Sequence, residues 1–442
     1  WGLKGNLVDI PTDCPQRDER LGWTGDAQVI TPTSIFNNHM HAFWASWLKS
    51  MREEQGKSGN IPVVIPNVLF DPKKGDMSSR FSTSSGWSDA ATIVPWEVYF
   101  RTGDTKILRD NYEMMKGLLD FYKSMSSNHI VEMFTFGDWL QPHRENNGSS
   151  SDTKPELINT AYYARSIDIT MKTAEVLGNK KDANNLKVLR DSVRVAFETE
   201  FIDDEGKLTT EYETQTGYLM ALGFDLVTEE TAQKILPHLI RKIEDADNHL
   251  RTGFLGTPLL ATVLSKYNRA DLMYTLLFKE TYPSWFFSIN QGATTMWERW
   301  NSYSHKDGFG DAGMNSFNHY AYGAIGQFMY ECIAGISPLE PGYKKILIAP
   351  MPCEMLEHAK AEYNSLYGKI SSAWKKIDNG LELNVTIPPN TSGKIVIPIR
   401  EGQSVTIDNK EIANNTDVKV IEKNNTSIVL AVMPGSYEFC SH

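Results

Sequence analysis

The sequence predicts a mostly helical protein, an (α/α)6 barrel of six helix hairpins in a toroid, followed by an antiparallel β-sandwich. Between residues 26 and 335, about twelve helical patterns recur with turn residues between them. After Gly335 the helical patterns end at a proline-rich segment, Ile336 to Gly342. Beyond that segment, short β-rich runs alternate in polarity and are separated by Asn, Asp, Gly and Pro.

The helical patterns place apolar residues three and four positions apart. One clear example runs from Asn38 to Glu54, where Met40, Trp44, Trp47 and Met51 fall on one face. The other helices are predicted over residues 87–101, 104–125, 155–177, 182–201, 214–222, 228–245, 258–267, 269–280, 294–302 and 316–334. So many helices fit a ring of pairs better than a bundle of four. In such a ring the inner helices are apolar nearly all round, and loops at one end form a concave site.

Two domains are therefore expected, the barrel over residues 1–336 and the sandwich over residues 337–442. Strands are predicted over residues 345–348, 359–363, 368–376, 380–387, 393–399, 404–407, 418–421, 427–432 and 435–440, with hairpin turns at 378–380 and 408–410. A short strand is also expected from Ile61 to Ile65. The long connections Gln55 to Gly86 and Ser127 to Lys154 are of a length that is more often functional than accidental.

The composition excludes some partners. A net charge of −11 without a cluster of Lys and Arg argues against nucleic acid. No apolar run reaches the roughly 18 residues of a membrane span. The four cysteines are far apart and form no CxxC pair, so free thiols are expected. The sequence starts at Trp1 without an initiator Met or a leader, which leaves the compartment open.

The stretch from Asp13 to Asp26 is the most unusual in the chain. It holds several acids and arginines without any amphipathic pattern, together with Pro15, Gly22 and Gly25. These residues predict a shaped loop, because proline fixes φ and glycine permits positive φ. A solvated charged loop is the alternative, although the indole of Trp23 among the charges disfavours it.

Three other segments also combine acids with Trp: residues 86–89 (Gly-Trp-Ser-Asp), residues 136–139 (Phe-Gly-Asp-Trp), and residues 297–300 (Trp-Glu-Arg-Trp), followed by His319. Each alone could be a core Trp beside a capping or ion-paired acid. Together they indicate hydrolysis of a glycosidic bond, which needs one carboxylic acid to protonate the leaving oxygen and a second carboxylate to activate water or attack. An indole raises the pKa of an adjacent acid by desolvation, and arginines keep a second carboxylate ionised.

The run from Pro11 to Asp26 closely resembles the signature of α-L-rhamnosidases of glycoside hydrolase family 78, and the three later segments match that family's motifs in order. The resemblance implies an exo-acting, inverting hydrolase of terminal α-L-rhamnosyl residues that needs no cofactor or metal. It implies Glu19 as general acid and Glu298 as general base, with about 6.5–9.5 Å between their carboxyl groups. The further implied substrate-binding residues are Asp13, Arg17, Trp23, Asp26, Trp87, Asp89, Asp138, Trp139 and His319.

In these roles, Asp13 and Asp26 would bind sugar hydroxyls, Arg17 would orient a carboxylate, and the three tryptophans would line the pocket. Asp18 and Arg299 can equally be structural. The family usually carries β-domains before the barrel, whereas in this sequence the signature lies almost at the first residue. Three alternatives stay open: a glycosidase for another sugar, a carbohydrate-binding protein without catalysis, and a fragment that is inactive by itself. The natural rhamnoside and the oligomeric state also stay open.

Overall fold

The computed structural model describes residues 1–69, 82–142, 151–408 and 410–442. Contacts divide the chain into two compact units. The first comprises Trp1–Thr31, Ala42–Trp96 and Thr105–Ala324, and the second Pro32–His41, Glu97–Asp104 and Ile325–His442. The predicted domain boundary between residues 336 and 337 stays a prediction.

Helices dominate the described part of the chain up to residue 333. The α-helices are Gly2–Asn6, Thr24–Asn37, His41–Glu53, Ala90–Thr102, Thr105–Ser124, Pro155–Val176, Lys180–Phe201, Gln215–Gly223, Glu229–Glu244, Thr257–Lys266, Ala270–Leu277, Trp285–Asn290 and Ile325–Phe328. Short 3₁₀ turns lie at Thr210–Tyr212 and Ala321–Ala324, and a π-helical turn at Met329–Ile333. Of the helices described, none is long and apolar enough to cross a membrane.

Helices that are buried all round alternate with helices that bury one face. In Pro155–Val176, 15 of 22 residues are buried, and in Gln215–Gly223 eight of nine. In contrast, Lys180–Phe201 buries four of 22 residues and Glu229–Glu244 four of 16. This alternation is expected when inner helices are enclosed by an outer layer whose polar side faces water.

Three predicted segments differ from the structure. Residues 294–302 contain no helix, and the helix predicted from residue 316 begins only with the 3₁₀ turn at Ala321. The reason is tertiary, because the two segments bond to each other: Glu298 N–H donates to Ser316 O at 2.8 Å and His319 N–H to Met296 O at 2.9 Å. Residues 61–65 likewise form no strand, only an isolated bridge between Val64 and Trp23.

The C-terminal part is built from β-strands: β5 (Ile336–Pro338), β6 (Lys345–Ile348), β7 (His358–Ser365), β8 (Gly368–Ile377), β9 (Gly380–Ile387), β10 (Ser392–Pro398), β11 (Val405–Ile407), β12 (Lys410–Glu411), β13 (Val418–Lys423), β14 (Ser427–Val432) and β15 (Gly435–Ser441). Four short strands precede them: β1 (Ser126–Ser127) pairs with β2 (Ile130–Val131), and β3 (Tyr303–Ser304) with β4 (Gly308–Phe309).

Strands β5 to β15 form two sheets, ordered β13-β14-β10-β6-β5 and β12-β11-β15-β9-β8-β7. Apolar residues of both sheets, such as Ile395 and Leu430 from one and Trp374 and Phe439 from the other, share one core, which confirms the sandwich. One pairing differs from the predicted antiparallel arrangement, because β6 and β10 are parallel. Strands β7 to β9 of the other sheet separate them in sequence, and so long a crossover permits parallel pairing.

The predicted hairpin turn at 378–380 is confirmed, since Ile377 pairs with Gly380 across a two-residue turn. The turn predicted at 408–410 includes residue 409, which lies outside the described residues.

Candidate active site

The segment from Asp13 to Trp23 is an irregular loop, as predicted, and helix Thr24–Asn37 starts directly after it. The buried Asn6 side chain fixes the loop's start. Its Nδ2 donates to Thr12 O at 3.1 Å, to Asp13 O at 2.8 Å and to Asn318 O at 3.3 Å. One amide therefore joins the beginning of the chain to a segment more than three hundred residues later.

Residues 313–320, which we call the clamp segment, hold the opening loop from the other side. The Arg17 guanidinium donates to Gly313 O and to Asn315 O, each at 2.9 Å. The Tyr320 hydroxyl donates to Pro11 O at 2.8 Å. Because these acceptors are backbone carbonyls, the arginine fixes the backbone of the clamp segment relative to the opening loop.

The clamp segment also holds the chain around Glu298, through the two backbone hydrogen bonds that replace the predicted helices. In addition, Gln16 Nε2 donates to the Ser316 hydroxyl. The segments that carry Glu19 and Glu298 are thus both attached to one stretch of backbone.

A cavity of about 450 Å³, counted out to the solvent at its mouth, lies where these segments meet. Its lining residues are Asp13, Glu19, Trp23, Asp26, Trp87, Phe136, Trp139, Phe254, Glu298, Met314 and His319.

The lining includes eight of the eleven residues that the sequence indicated, but not Arg17, Asp89 or Asp138. Sequence reasoning missed Phe136, Phe254 and Met314. The sequence could have identified Phe136, because it begins the Phe-Gly-Asp-Trp motif. Nothing in the sequence around Phe254 or Met314 suggests a site.

Four carboxyl groups face the cavity in two kinds of surroundings. Asp13, Asp26 and Glu298 are at most 5% exposed. Glu19 is exposed, and its Oε1 accepts a hydrogen bond from the Trp23 indole N–H at 2.6 Å. The cavity therefore has three acids in its buried part and one at its open side.

Burial raises the pKa of Asp13 and the pKa of Asp26, and the negative charges of neighbouring acids raise both further. Two such carboxyl groups so close together cannot both ionise easily, so one of the pair stays protonated at neutral pH. The pair then offers both an acceptor and an O–H donor, which suits the hydroxyl groups of a sugar.

His319 completes this polar end. Its Nδ1 accepts from the Ala321 N–H at 3.4 Å, so the proton of the neutral ring is on Nε2. Nε2 lies 3.2 Å from Asp26 Oδ1 and 3.9 Å from Asp13 Oδ2. Burial, and next the charge of Arg17, lower the pKa of His319 to about 3, so the ring is neutral and these contacts are not ion pairs.

Glu298 is buried between opposing influences. Burial raises its pKa, while the positive charges of Arg17 and Arg299 lower it. Arg299 is itself oriented by donating from Nε to Met314 O at 2.9 Å. A carboxylate of raised pKa that arginines keep ionised is a suitable proton acceptor.

Among the described residues, Asp13, Cys14 and His319 are the group whose possible metal-ligand atoms lie within 4.8 Å of one another. Burial raises the pKa of the Cys14 thiol, so it stays protonated, and the proton on His319 Nε2 occupies the atom that faces the acids.

Comparison with known proteins identifies the family. Residues 1–333 match the bacterial α-L-rhamnosidase 6 hairpin glycosidase domain, and residues 335–411 match the bacterial α-L-rhamnosidase C-terminal domain. The chain belongs to the bacterial α-L-rhamnosidase family. The predicted six-hairpin fold and the resemblance seen in the sequence are thereby confirmed.

Named relatives agree with this assignment. An α-L-rhamnosidase of Formosa agariphila is 52% identical over 439 residues, which cover 99% of this chain and 46% of that protein. The structure of the Streptomyces avermitilis α-L-rhamnosidase complexed with L-rhamnose has a TM-score of 0.90 at 36% identity, over 100% of this chain and 40% of that one. That of the Aspergillus terreus enzyme has a TM-score of 0.87 at 32% identity, over 100% and 48%. The chain spans about half the length of the curated relatives it matches.

Asp138 lies behind the cavity wall, and its carboxylate is completely buried. Its Oδ1 accepts from the N–H groups of Leu255 and Gly256 at 2.8 and 2.9 Å, and its Oδ2 from Gly253 N–H at 2.8 Å and from the Thr216 hydroxyl. These four hydrogen bonds occupy both carboxylate oxygens of Asp138. The direct contact with sugar that was expected of this residue does not agree with such an arrangement. Instead the carboxylate joins the loop of Phe254 to the segment of Trp139, two aromatic walls of the cavity.

Asp89 has a similar position. Its carboxylate accepts from Gly86 N–H at 2.8 Å, from the Tyr122 hydroxyl at 2.7 Å and from the Ser166 hydroxyl at 2.6 Å. These bonds hold the turn that carries Trp87. Gly25 also lies against that indole: a Cβ at Gly25 would lie 2.6 Å from the ring, so only glycine permits this approach.

The Asp138→Asn variant tests the wall-positioning role. Every partner of the carboxylate is a donor, so either orientation of the amide places its NH₂ against donors. We expect KM for an α-L-rhamnoside to rise about tenfold, from a cost of about 1–3 kcal/mol at the buried contacts, with a smaller change in kcat. The matched control is Asp271→Asn, at an exposed acid. Unchanged KM would show that Asp138 does not position the wall.

The charge of Arg17 sets a second prediction. The sequence leads us to expect Glu298 as general base, and a general base must be ionised, so kcat/KM is expected to fall as the pH decreases through the pKa of Glu298. Removing the charge in Arg17→Gln raises that pKa, and we expect the acid limb of the pH profile to move to higher pH. Arg17→Lys keeps the charge and should keep the limb in place, even if it loosens the clamp segment. A limb that stays or moves down in Arg17→Gln would contradict this role.

Proposed function

We propose that this chain is the catalytic region of an exo-acting, inverting α-L-rhamnosidase, with Glu19 as general acid and Glu298 as general base. One observation carries the proposal: two carboxyl groups line the same cavity in opposite surroundings. Glu19 is at the open side beside an indole N–H, and Glu298 is buried between arginine charges.

The proposed roles divide the reaction between the two groups. Glu19 gives its proton to the glycosidic oxygen as that bond breaks. Glu298 takes a proton from a water molecule whose oxygen bonds to the anomeric carbon from the opposite face. The products are free sugar with inverted configuration and the protonated leaving group, with the two proton transfers in balance.

The buried end of the cavity suits one terminal sugar residue. Asp13, Asp26 and His319 offer acceptors and donors there, and Trp87 and Trp139 offer flat apolar faces. Asp13 Oδ1 and Glu298 Oε2 are buried oxygens that accept no hydrogen bond from the described residues, which suits ligand hydroxyls or water. The relative from Streptomyces avermitilis, solved with L-rhamnose, supports rhamnose as the sugar.

Two alternatives differ in what they predict. A glycosidase for another sugar would cleave a different member of a panel of aryl glycosides. A carbohydrate-binding protein would bind rhamnose without releasing product. The set of proton-transfer groups favours catalysis over binding alone, and comparison with the full-length enzyme would show whether this chain is active by itself.

Substitutions of the two glutamates test the assignment. Glu298→Gln removes the base, and we expect kcat on an aryl α-L-rhamnoside to fall about 10²- to 10⁴-fold while KM changes little. Glu19→Gln should lose most activity on rhamnosides with poor leaving groups and less on those with good ones, because good leaving groups need no proton. Asp18→Asn, an exposed neighbour of Glu19 in the same loop, is the control and should resemble the wild type.

A Glu298→Gln variant with wild-type turnover would rule out this base. An Asp18→Asn variant that shows the leaving-group dependence expected of Glu19→Gln would move the acid to position 18.

A further inference from the structure

Trp23 belongs to the cavity wall, and its indole N–H is also bonded to the proposed acid. The N–H donates to Glu19 Oε1 at 2.6 Å, while the ring lines the cavity. Among the residues that the structure describes, Trp23 is the one that hydrogen-bonds the Glu19 carboxyl group. A bond to the group that transfers the proton can affect the reaction itself as well as the binding of sugar.

The backbone on both sides of this indole is held in place. Gly22 O accepts from Ile65 N–H at 3.0 Å, and Thr24 N–H donates to Val63 O at 2.9 Å. A Cβ at Gly22 would collide with Ile65 O, so the close approach of these two segments requires glycine. The fold therefore sets the position of the indole N–H before any substrate binds, which is the condition for electrostatic preorganisation.

The hydrogen bond also defines which oxygen of Glu19 carries the proton. In a protonated carboxyl group, one oxygen is a donor and the other is an acceptor. Because Oε1 accepts from the indole, the proton is on Oε2, where it is available to the glycosidic oxygen. Glu19 is exposed, so it can regain a proton from solvent after each turnover.

The same bond becomes stronger as the proton leaves. Hydrogen bonds to an ionised acceptor are roughly twice as strong as those between neutral groups. When Glu19 gives its proton to the leaving oxygen and the glycosidic bond breaks, a carboxylate forms, and the indole N–H then faces a negative charge. An interaction that strengthens toward the transition state lowers the barrier, whereas one of constant strength does not.

We propose that Trp23 is a positioning residue for the general acid: its indole N–H orients the proton of Glu19 and stabilises the carboxylate that forms as the proton leaves. The inference rests on the proposed function, in which Glu19 is the acid. The charged groups that face Glu19 in the cavity or neighbour it in the loop stay the same when position 23 is changed; they are Asp13, Asp26, Glu298, Arg17, Asp18 and Arg20.

The test removes the N–H and keeps an aromatic ring. One variant is Trp23→Phe, and the other has β-(3-benzothienyl)alanine at position 23, which keeps the shape of the indole and replaces the N–H by sulfur. In both variants we expect kcat/KM for phenyl α-L-rhamnoside to fall about 10- to 100-fold. For 2,4-dinitrophenyl α-L-rhamnoside, whose leaving group needs no proton, the fall should be less than about threefold.

The pH profile gives a second readout. A general acid must be protonated, so kcat/KM falls as the pH rises through the ionisation of the acid. Without the indole N–H, the carboxylate form of Glu19 is less stable, and the basic limb on the phenyl substrate should move to higher pH. A loss of wall contact alone would leave this limb in place.

Trp139→Phe is the matched control. Trp139 lines the same cavity and meets Phe136 edge-on at 5.7 Å, much as Trp23 does at 5.8 Å. Its replacement should change KM for both substrates by the same factor and should not move the basic limb. The inference is overturned if the Trp23 variants lower kcat/KM equally for both substrates, or if Trp139→Phe reproduces their leaving-group dependence.

Failure of the proposed function would look different. If Glu19→Gln shows no leaving-group dependence, Glu19 is not the acid, and the proposed function and this inference both fail. If Glu19→Gln shows that dependence and the Trp23 variants do not, this inference alone fails. In the Glu19→Gln background, Trp23→Phe should add no further leaving-group dependence, because the indole acts through Glu19.

A readout without turnover covers a chain that is inactive by itself. The ¹⁵N-labelled indole N–H signal of Trp23, identified by its absence from Trp23→Phe, should shift in NMR spectra as Glu19 titrates. This shift should be absent from Glu19→Gln. A signal that responds equally to pH in both proteins would overturn the hydrogen bond on which the inference depends.

Discussion

The site depends on the clamp segment, residues 313–320, to which two distant parts of the chain are bonded. The Arg17 guanidinium reaches its carbonyls across 298 residues of sequence, and Glu298 and His319 are held by backbone hydrogen bonds between residues 296–298 and 316–319. Loops that carry a site need such support, because a displacement of about 1 Å is enough to reduce catalysis about 10²-fold. The surrounding helices supply the framework, and the clamp segment sets the geometry of the two glutamates.

The same site is electrostatically costly. Asp13, Asp26 and Glu298 are buried, and each has a raised pKa, so burial opposes their ionisation. A carboxyl group whose pKa is raised in the folded state loses stabilisation as the pH rises from its ordinary pKa through the raised one. The fold therefore gives up stability around neutral pH to keep donors and acceptors ready for a ligand, a common trade between stability and activity.

The sequence predicted the helical and β-rich parts, the irregular opening loop and most cavity residues, because these follow from periodicity, turn residues and clustered acids beside Trp. The prediction failed where contacts between residues far apart in sequence determine the local structure. The helix expected over residues 294–302 is absent because its backbone bonds to the clamp segment.

Asp89 and Asp138 lie in sequence motifs that are typical of a site, yet their hydrogen-bond partners come from helices and loops up to 118 residues away. Phe254 lines the cavity through the contacts of its neighbours with Asp138, and no local pattern could reveal that.

The most direct measurement of the central claim is the configuration of the first product, followed by ¹H NMR during hydrolysis of an aryl α-L-rhamnoside. The proposed roles of Glu19 as acid and Glu298 as base predict that β-L-rhamnose forms first and that the α anomer grows only by later mutarotation. If α-L-rhamnose forms first, the reaction proceeds with retention, and Glu298 is not a base that activates water.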